Sequence, residues 1–303
     1  MLPVLAVLVA AVLFGTTGTS QALGPDGATP LGVGAVRLVV GGTALAVLGF
    51  ALARRRAASG RANPPLSARA LVLMAVTGAC LAAYQPLFFL GTARNGVAVG
   101  TVIALGSSPV IAGIVEWLVT RRAPGATWLG ATALSTVGVA LLAFGGSAGG
   151  TGADPAGLLA SLGAGTAFAI FANAQRRLMA GGWDPFTVAG AMGLGSAVCA
   201  LGLLPFADLA WVGAASGVAM AAWLGLATVA AAYTLFTWGL DRLTAATAAT
   251  LTLAEPLTAS LLGILLLGER LSPLAVAGLC VLAGGLVLLA WGSRTPRPFA
   301  VEG

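Results

Sequence analysis

Ten apolar stretches, each long enough to cross a bilayer, run between Leu2 and Trp291, and the last five resemble the first five. Hydrocarbon offers the backbone no water, so such stretches must satisfy their own amides and carbonyls as helices. The spans fall at 2–21, 31–53, 70–93, 97–119, 127–144, 156–175, 186–204, 217–240, 244–267 and 273–292. A helix rising ~1.5 Å per residue needs roughly 20 residues to cross ~30 Å of hydrocarbon. Most spans meet that length, and two copies of an odd number of them must lie antiparallel in one membrane. The expected fold is an all-α membrane protein of ten transmembrane helices, arranged as two inverted five-helix repeats around a central cavity. Inverted repeats place a substrate site near the midplane and let one packing open alternately to each side.

The duplication is visible without gaps. Displacing residues 78–143 by 147 positions lays Gly78 on Gly225, Phe89 on Phe236, Pro109 on Pro256 and Gly138 on Gly285. A displacement of 154 sets Phe14 on Phe168 and Gln21 on Gln175, so the first span of each half also corresponds. Alanine and leucine matches are cheap in this composition, whereas a shared mid-helix proline is not. The expected organisation is a first repeat at 1–144, a linker at 145–153 that begins GGSAGGTG, a second repeat at 154–294 and a cytoplasmic tail at 295–303. The first span lacks a basic leading region and reads as a helix rather than a signal peptide.

With 58% hydrophobic and 8% charged residues and a mean hydropathy of +0.99, the chain is far outside the range of soluble domains. All 15 basic residues are arginine. Placing the N-terminus in the cytoplasm puts Arg54, Arg55, Arg56, Arg61, Arg69, Arg121, Arg122, Arg176, Arg177, Arg242, Arg294 and Arg297 inside, and only Arg94 and Arg270 outside. That asymmetry sets the orientation, with both termini cytoplasmic, and accounts for the basic balance without nucleic-acid binding. Trp117, Trp128, Trp183, Trp211, Trp238 and Trp291 lie near span ends, where amphipathic rings favour the headgroup region. Cys80, Cys199 and Cys280 all fall within spans and suggest neither a disulfide framework nor a metal site.

From Leu243 to Ala290 the sequence closely resembles the end of the second repeat in EamA-type members of the drug/metabolite transporter superfamily. The features are Glu255-Pro256, then Gly268-Glu269-Arg270, then Gly284-Gly285. The first repeat is a weaker match, with Ser108-Pro109 for Glu-Pro and Thr120-Arg121-Arg122 for Gly-Glu-Arg, and Arg37 matches an arginine common in the family's second helix. The resemblance implies a cavity lined by spans 1, 3, 4, 6, 8 and 9, with spans 5 and 10 packed at one end and spans 2 and 7 peripheral. It also implies a monomeric exporter in a bacterial inner membrane that needs no cofactor. The aromatic amino acid exporters are the most similar group, and other drug or metabolite exporters are the alternative.

Glu255 sits near the middle of span 9, where an ionisable side chain costs several kcal/mol to place. It reads either as a group that binds a proton or a substrate amine, or as a structural acid satisfied by hydroxyls and freed backbone. Pro256 cannot donate to the carbonyl of Thr252, and Pro109 likewise frees that of Leu105, so kinks at equal depth are expected in spans 4 and 9. They serve as hinges or are bends filled by Ser108, Thr250 or Thr252. Phe14, Gly18 and Gln21 share one face of span 1, and Phe168, Ala172 and Gln175 repeat it on span 6. Gln21 and Gln175 offer amides suited to a zwitterion, against a packing role. Span 3 carries Tyr84, Phe88 and a further kink at Pro86, whose counterpart is Tyr233. A pocket of Tyr84, Phe88, Tyr233 and Phe171 would be apolar with a few polar handles, as small-molecule sites are. Arg37 is expected to snorkel to the outer boundary or pair with Asp26 or Asp208, and Glu116 to pair with Arg121 or Arg122.

Other classes fit less well. The chain has no histidine and no aspartate within a span, which removes His-based zinc and Ser-His chemistry and an aspartyl dyad. No filter-like loop or ring of charges marks a channel. A scaffold or sensor stays open, although a midplane acid and paired kinks would be surplus to it. The expected cavity lacks basic residues to meet a phosphate, which leaves neutral amino acids or uncharged drugs as substrates, with protons as a candidate coupling ion.

Overall fold

The computed structural model of the protein describes residues 1–60, 62–121, 123–145, 154–268 and 270–292, apart from the side chains of residues 96–98. Gly145 ends a helix, and the rest of the expected linker lies outside the described residues. So do the expected tail and Arg61, Arg122, Glu269, Arg294 and Arg297.

Among the described residues every regular element is helical. They are α1 (Leu2–Ala22), α2 (Pro30–Ala58), α3 (Ala68–Thr120), α4 (Ala126–Gly145), α5 (Pro155–Ala180), α6 (Pro185–Leu201), α7 (Ala215–Ala222), α8 (Ala232–Leu240), α9 (Ala245–Leu251), α10 (Ala254–Leu267) and α11 (Pro273–Gly292). A π-helical stretch, Trp223–Ala231, joins α7 to α8, and short 3-10 turns follow α6. Starts are written in the sequence. Thr29, Ser67, Asp154, Asp184 and Thr244 each accept a hydrogen bond from an amide in the first turn that follows. Proline, which lacks the amide that would be orphaned there, opens α2, α5 and α6.

Helix α3 holds two membrane passes, Ala68–Asn95 and Val99–Thr120. A Cβ on Gly100 would come within 2.8 Å of Thr92 Cα, whereas a straight helix would put these residues ~12 Å apart. The chain therefore doubles back between them with no break in helical assignment. Asn95 exchanges hydrogen bonds with the Asp154 backbone at 2.6 and 3.1 Å, and Arg94 pairs with its carboxylate at 3.0 Å. The Ala156 amide and then Arg94 hold this exposed carboxyl below its ordinary range, so it stays ionised at neutral pH. Counting the two passes of α3 separately and the runs Ala215–Leu240 and Ala245–Leu267 as one span each, nine described helical spans are long and apolar enough to cross a membrane, and the 17-residue α6 is a shorter apolar helix. The protein is a multi-pass membrane protein.

Four packing layers place the interior. α2 packs on α6, α4 on α11, α3 on α5, and α1 against α8 and α10. Without a hydrophobic drive between helices in lipid, close approach depends on small residues. At Gly193 in α6 an added Cβ would lie 2.6 Å from the Gly42 carbonyl oxygen and 2.8 Å from Leu45 Cβ. Gly193→Leu should therefore separate α2 from α6, costing about 1–3 kcal/mol of stability by overpacking. Thermal unfolding of the detergent-purified variant checks this, since an unchanged midpoint would show that the helices accommodate the side chain.

Candidate substrate cavity

Arg54, Arg55 and Arg56 at the end of α2, Arg176 and Arg177 of α5, and Arg242 in the α8–α9 turn mark one end of the bundle, and Asp26, Asp154 and Asp208 mark the other. A cavity of about 560 Å³ lies between the halves, and its lining is one-sided. α1 contributes Phe14, Thr17, Gly18 and Gln21 from its last turns, and α4 contributes Val139, Leu142 and Ala143 from its last turns. The α3 hairpin contributes Tyr84, Gln85, Phe88 and Phe89 before the reversal and Thr101, Leu105 and Ser108 after it. α10 contributes Glu255, Pro256, Ala259 and Ser260, with Leu271 beyond its end. These are the portions remote from the arginine-rich end, so the cavity opens away from it.

Aromatic rings make the floor. Phe14 meets Tyr233 at 4.9 Å between centroids, and Tyr84 lies 6.0 Å from Phe88 and 6.4 Å from Phe168. Phe168, not Phe171, reaches the cavity. Phe171 is fully buried behind it, packed at 4.7 Å on Phe168 and 6.0 Å on Tyr233. The match of Phe14 with Phe168 at a displacement of 154 residues was the signal for this ring.

Below the floor the bundle is shut. Asn173 donates to the Ala112 carbonyl at 3.2 Å, Arg176 to the Asp241 carbonyl at 2.9 Å, and Thr237 to Gln175 Oε1 at 3.1 Å. The oxygens of Thr132 and Thr250 lie 2.9 Å apart. Glu116 accepts the Ala246 amide at 2.9 Å, which caps the start of α9. The expected ion pair with Arg121 does not form, the alternative partner Arg122 lies outside the described residues, and the free amides of a helix start offer the carboxylate several donors within reach. The second pass of α3 thus packs on α9 at the closed end, while α10 and the first turns of that pass flank the cavity. Together they form a V whose apex is the closed end.

The break in span 9 lies at the expected place. α9 ends at Leu251 and α10 begins at Ala254, and the Thr252 carbonyl that Pro256 cannot reach accepts the Glu255 amide at 2.9 Å. The Leu105 carbonyl freed by Pro109 is taken by the Ser108 hydroxyl at 2.9 Å, and α3 continues through both Pro86 and Pro109. Only Pro256 interrupts its helix, and neither Pro86 nor Pro109 lines the cavity.

Of the expected binding residues, the fold brings Gln21, Tyr84, Phe88, Tyr233 and Glu255 to one cavity and leaves out Phe171 and Gln175. Gln21 and Gln175 are equivalent in sequence, yet Gln21 faces the open end, whereas Gln175 is fully buried against Thr237 and Met192. The difference follows from a cavity open at one end only.

Arg37 corrects three expectations at once. It does not snorkel outward or pair with Asp26 or Asp208. It lines the cavity, 7% exposed, which brings peripheral α2 into the site and gives the cavity a basic group. α4 likewise lines it rather than only packing at one end. The two ion pairs among the described residues are Arg56–Asp184 and Arg94–Asp154, and neither Arg37 nor Glu255 belongs to either. Arg37 nevertheless acts electrostatically on Glu255, Tyr84 and Tyr233. Sequence position alone did not reveal this, because a residue near a span end is equally free to reach the interface. No cluster of residues with metal-ligating side chains occurs among the described residues.

The sequence pattern described as the EamA-like transporter family matches residues 1–144 and 155–291. The chain is 40% identical over 291 residues to a Bacillus subtilis (strain 168) protein named as the uncharacterized transporter YwfM, covering 96% of this chain and 94% of that one. A solved structure titled only as a crystal structure of protein superposes with a TM-score of 0.78 at 19% identity, covering 96% of this chain and 97% of the other. At that identity the likeness concerns fold.

Proposed function

Because this chain belongs to the EamA-like transporter family, we propose that it exports small neutral metabolites, foremost amino acids including aromatic ones, across a bacterial inner membrane by alternating access. The observation that carries the substrate class is the cavity of about 560 Å³ floored by Phe14, Tyr84, Phe168 and Tyr233, within the ~300–1,000 Å³ typical of small-molecule sites. Rings at its floor suit an aromatic side chain, and Gln21, Gln85 and Glu255 supply polar handles. A single arginine opposite a glutamate is a poor match for a phosphate ester, which calls for a cluster of cations.

Two inverted five-helix repeats, 1–144 and 154–294, support the transport cycle. Helices pair across the halves in matching fashion: α2 with α6, α4 with α11, α1 with the second half's α8 and α10, and α5 with the first half's α3. The family pattern also matches in two segments. In such a frame the half-buried, cavity-lining Gln21 and the fully buried Gln175 are the same position in its open and closed states, and the transition exchanges them. With both termini cytoplasmic, the cavity seen here opens away from the cytoplasm. The protein works as a monomer in the bilayer, with protons as the candidate coupling ion through Glu255.

Efflux from liposomes loaded with labelled amino acids, nucleotide sugars or cationic dyes tests this reading. Amino-acid flux inhibited by excess phenylalanine or tryptophan is the expected result. Dye flux alone would replace it with a multidrug exporter, and no flux of any member would point to a scaffold or sensor.

A further inference from the structure

Arg37 and Glu255 face one cavity, belong to opposite halves of the chain and carry opposite charges. Neither neutralises the other by direct contact, because neither is in an ion pair. Arg37 is 7% exposed, and its Nε has no hydrogen-bond partner. The Thr17 hydroxyl, which also lines the cavity, is buried without a partner too. Of the buried polar side-chain atoms without a partner among the described residues, Arg37 Nε and the Thr17 hydroxyl belong to residues that line the cavity, where a bound molecule can supply the missing partner. A guanidinium offers paired N–H groups in a fixed fork that matches the two oxygens of a carboxylate. A substrate bearing only a cation would satisfy Glu255 and leave Arg37 as it is, and one bearing only an anion would do the reverse.

We propose that Arg37 binds the α-carboxylate of an amino-acid zwitterion while Glu255 meets its ammonium group, with the side chain directed to the aromatic floor. This rests on the amino-acid reading above and deepens it. The two charges set selectivity for free amino acids over their amides, amines and acids. Thr17 supplies a further hydroxyl to the bound zwitterion, which explains why a polar side chain sits unpartnered on the cavity face of α1 between Phe14 and Gln21.

Counterflow of labelled phenylalanine into proteoliposomes, with unlabelled competitors, tests the assignment. Phenylalaninamide lacks the carboxylate, and phenylpropionate lacks the amine. The wild-type protein should prefer phenylalanine to each by at least about tenfold, the scale of one lost charge-assisted contact. Arg37→Gln should bring phenylalanine and its amide to within about threefold while keeping the preference over phenylpropionate, and Glu255→Gln should do the opposite. Arg37→Lys, which keeps the charge but not the fork, should retain the preference over the amide at weaker affinity. If Arg37→Gln retains the full preference over the amide, the assignment is wrong and amino-acid transport still stands. If Arg37→Gln does not purify as a folded protein, the wild-type and Arg37→Lys competition decides, and an amide that competes as well as phenylalanine overturns the assignment. Absence of phenylalanine flux in the wild type, with flux of another solute, overturns the amino-acid reading itself.

Discussion

Glu255→Gln should lower phenylalanine exchange by at least about tenfold, because a charge-assisted hydrogen bond is worth ~1.5–3 kcal/mol and the amide cannot reproduce it. The loss should fall on transport rather than on folding. Glu255 lines the cavity, its own amide already satisfies Thr252, and the break in the helix comes from Pro256. An amide of the same shape leaves each of these in place. The variant should also lose accumulation driven by a pH gradient, since no other described carboxylate lines the cavity. Side-by-side measurement of thermal unfolding and proteoliposome exchange checks both parts. Full gradient-driven, pH-dependent transport by Glu255→Gln would remove the residue from the coupling step.

Locking the apex of the V should abolish turnover while sparing access from the open side. Across the closed end the Glu116 carboxylate accepts the Ala246 backbone amide at 2.9 Å. A protein with Glu116→Cys and Ala246→Cys, in which Cys80, Cys199 and Cys280 are replaced, is suited to a short cleavable thiol-to-thiol reagent. Cross-linking should leave substrate binding intact and cut net flux more than tenfold relative to the same protein before cross-linking. Reduction should restore the flux. Unchanged flux after complete cross-linking would mean that the closed end does not part during the cycle.

How much of this was legible from the residues depended on distance along the chain. Pro256 announced a break because the missing amide acts on a carbonyl four residues away, and the structure shows the break there. Pro109 announced the same thing, but Ser108 hydrogen-bonds the freed carbonyl and the helix runs on. The π-helical stretch before Tyr233 left no mark in an apolar run that reads equally well as α-helix. For Arg37, Glu116 and the choice of Phe168 over Phe171, helical periodicity gave the face and the depth, while the partner depended on segments distant in sequence.

Hydropathy, helix starts and the duplicated proline and glutamine positions determined that this is a multi-pass helical membrane protein, because solvation by lipid and backbone hydrogen bonding act locally and repeat wherever the sequence repeats. Only the tertiary structure decided that the cavity is open at one end and sealed at the other, that Gln21 faces it while Gln175 does not, and that Arg37 and Glu255 line it together. Those outcomes depend on how segments distant in the sequence pack against one another, which neither hydropathy nor helical periodicity encodes.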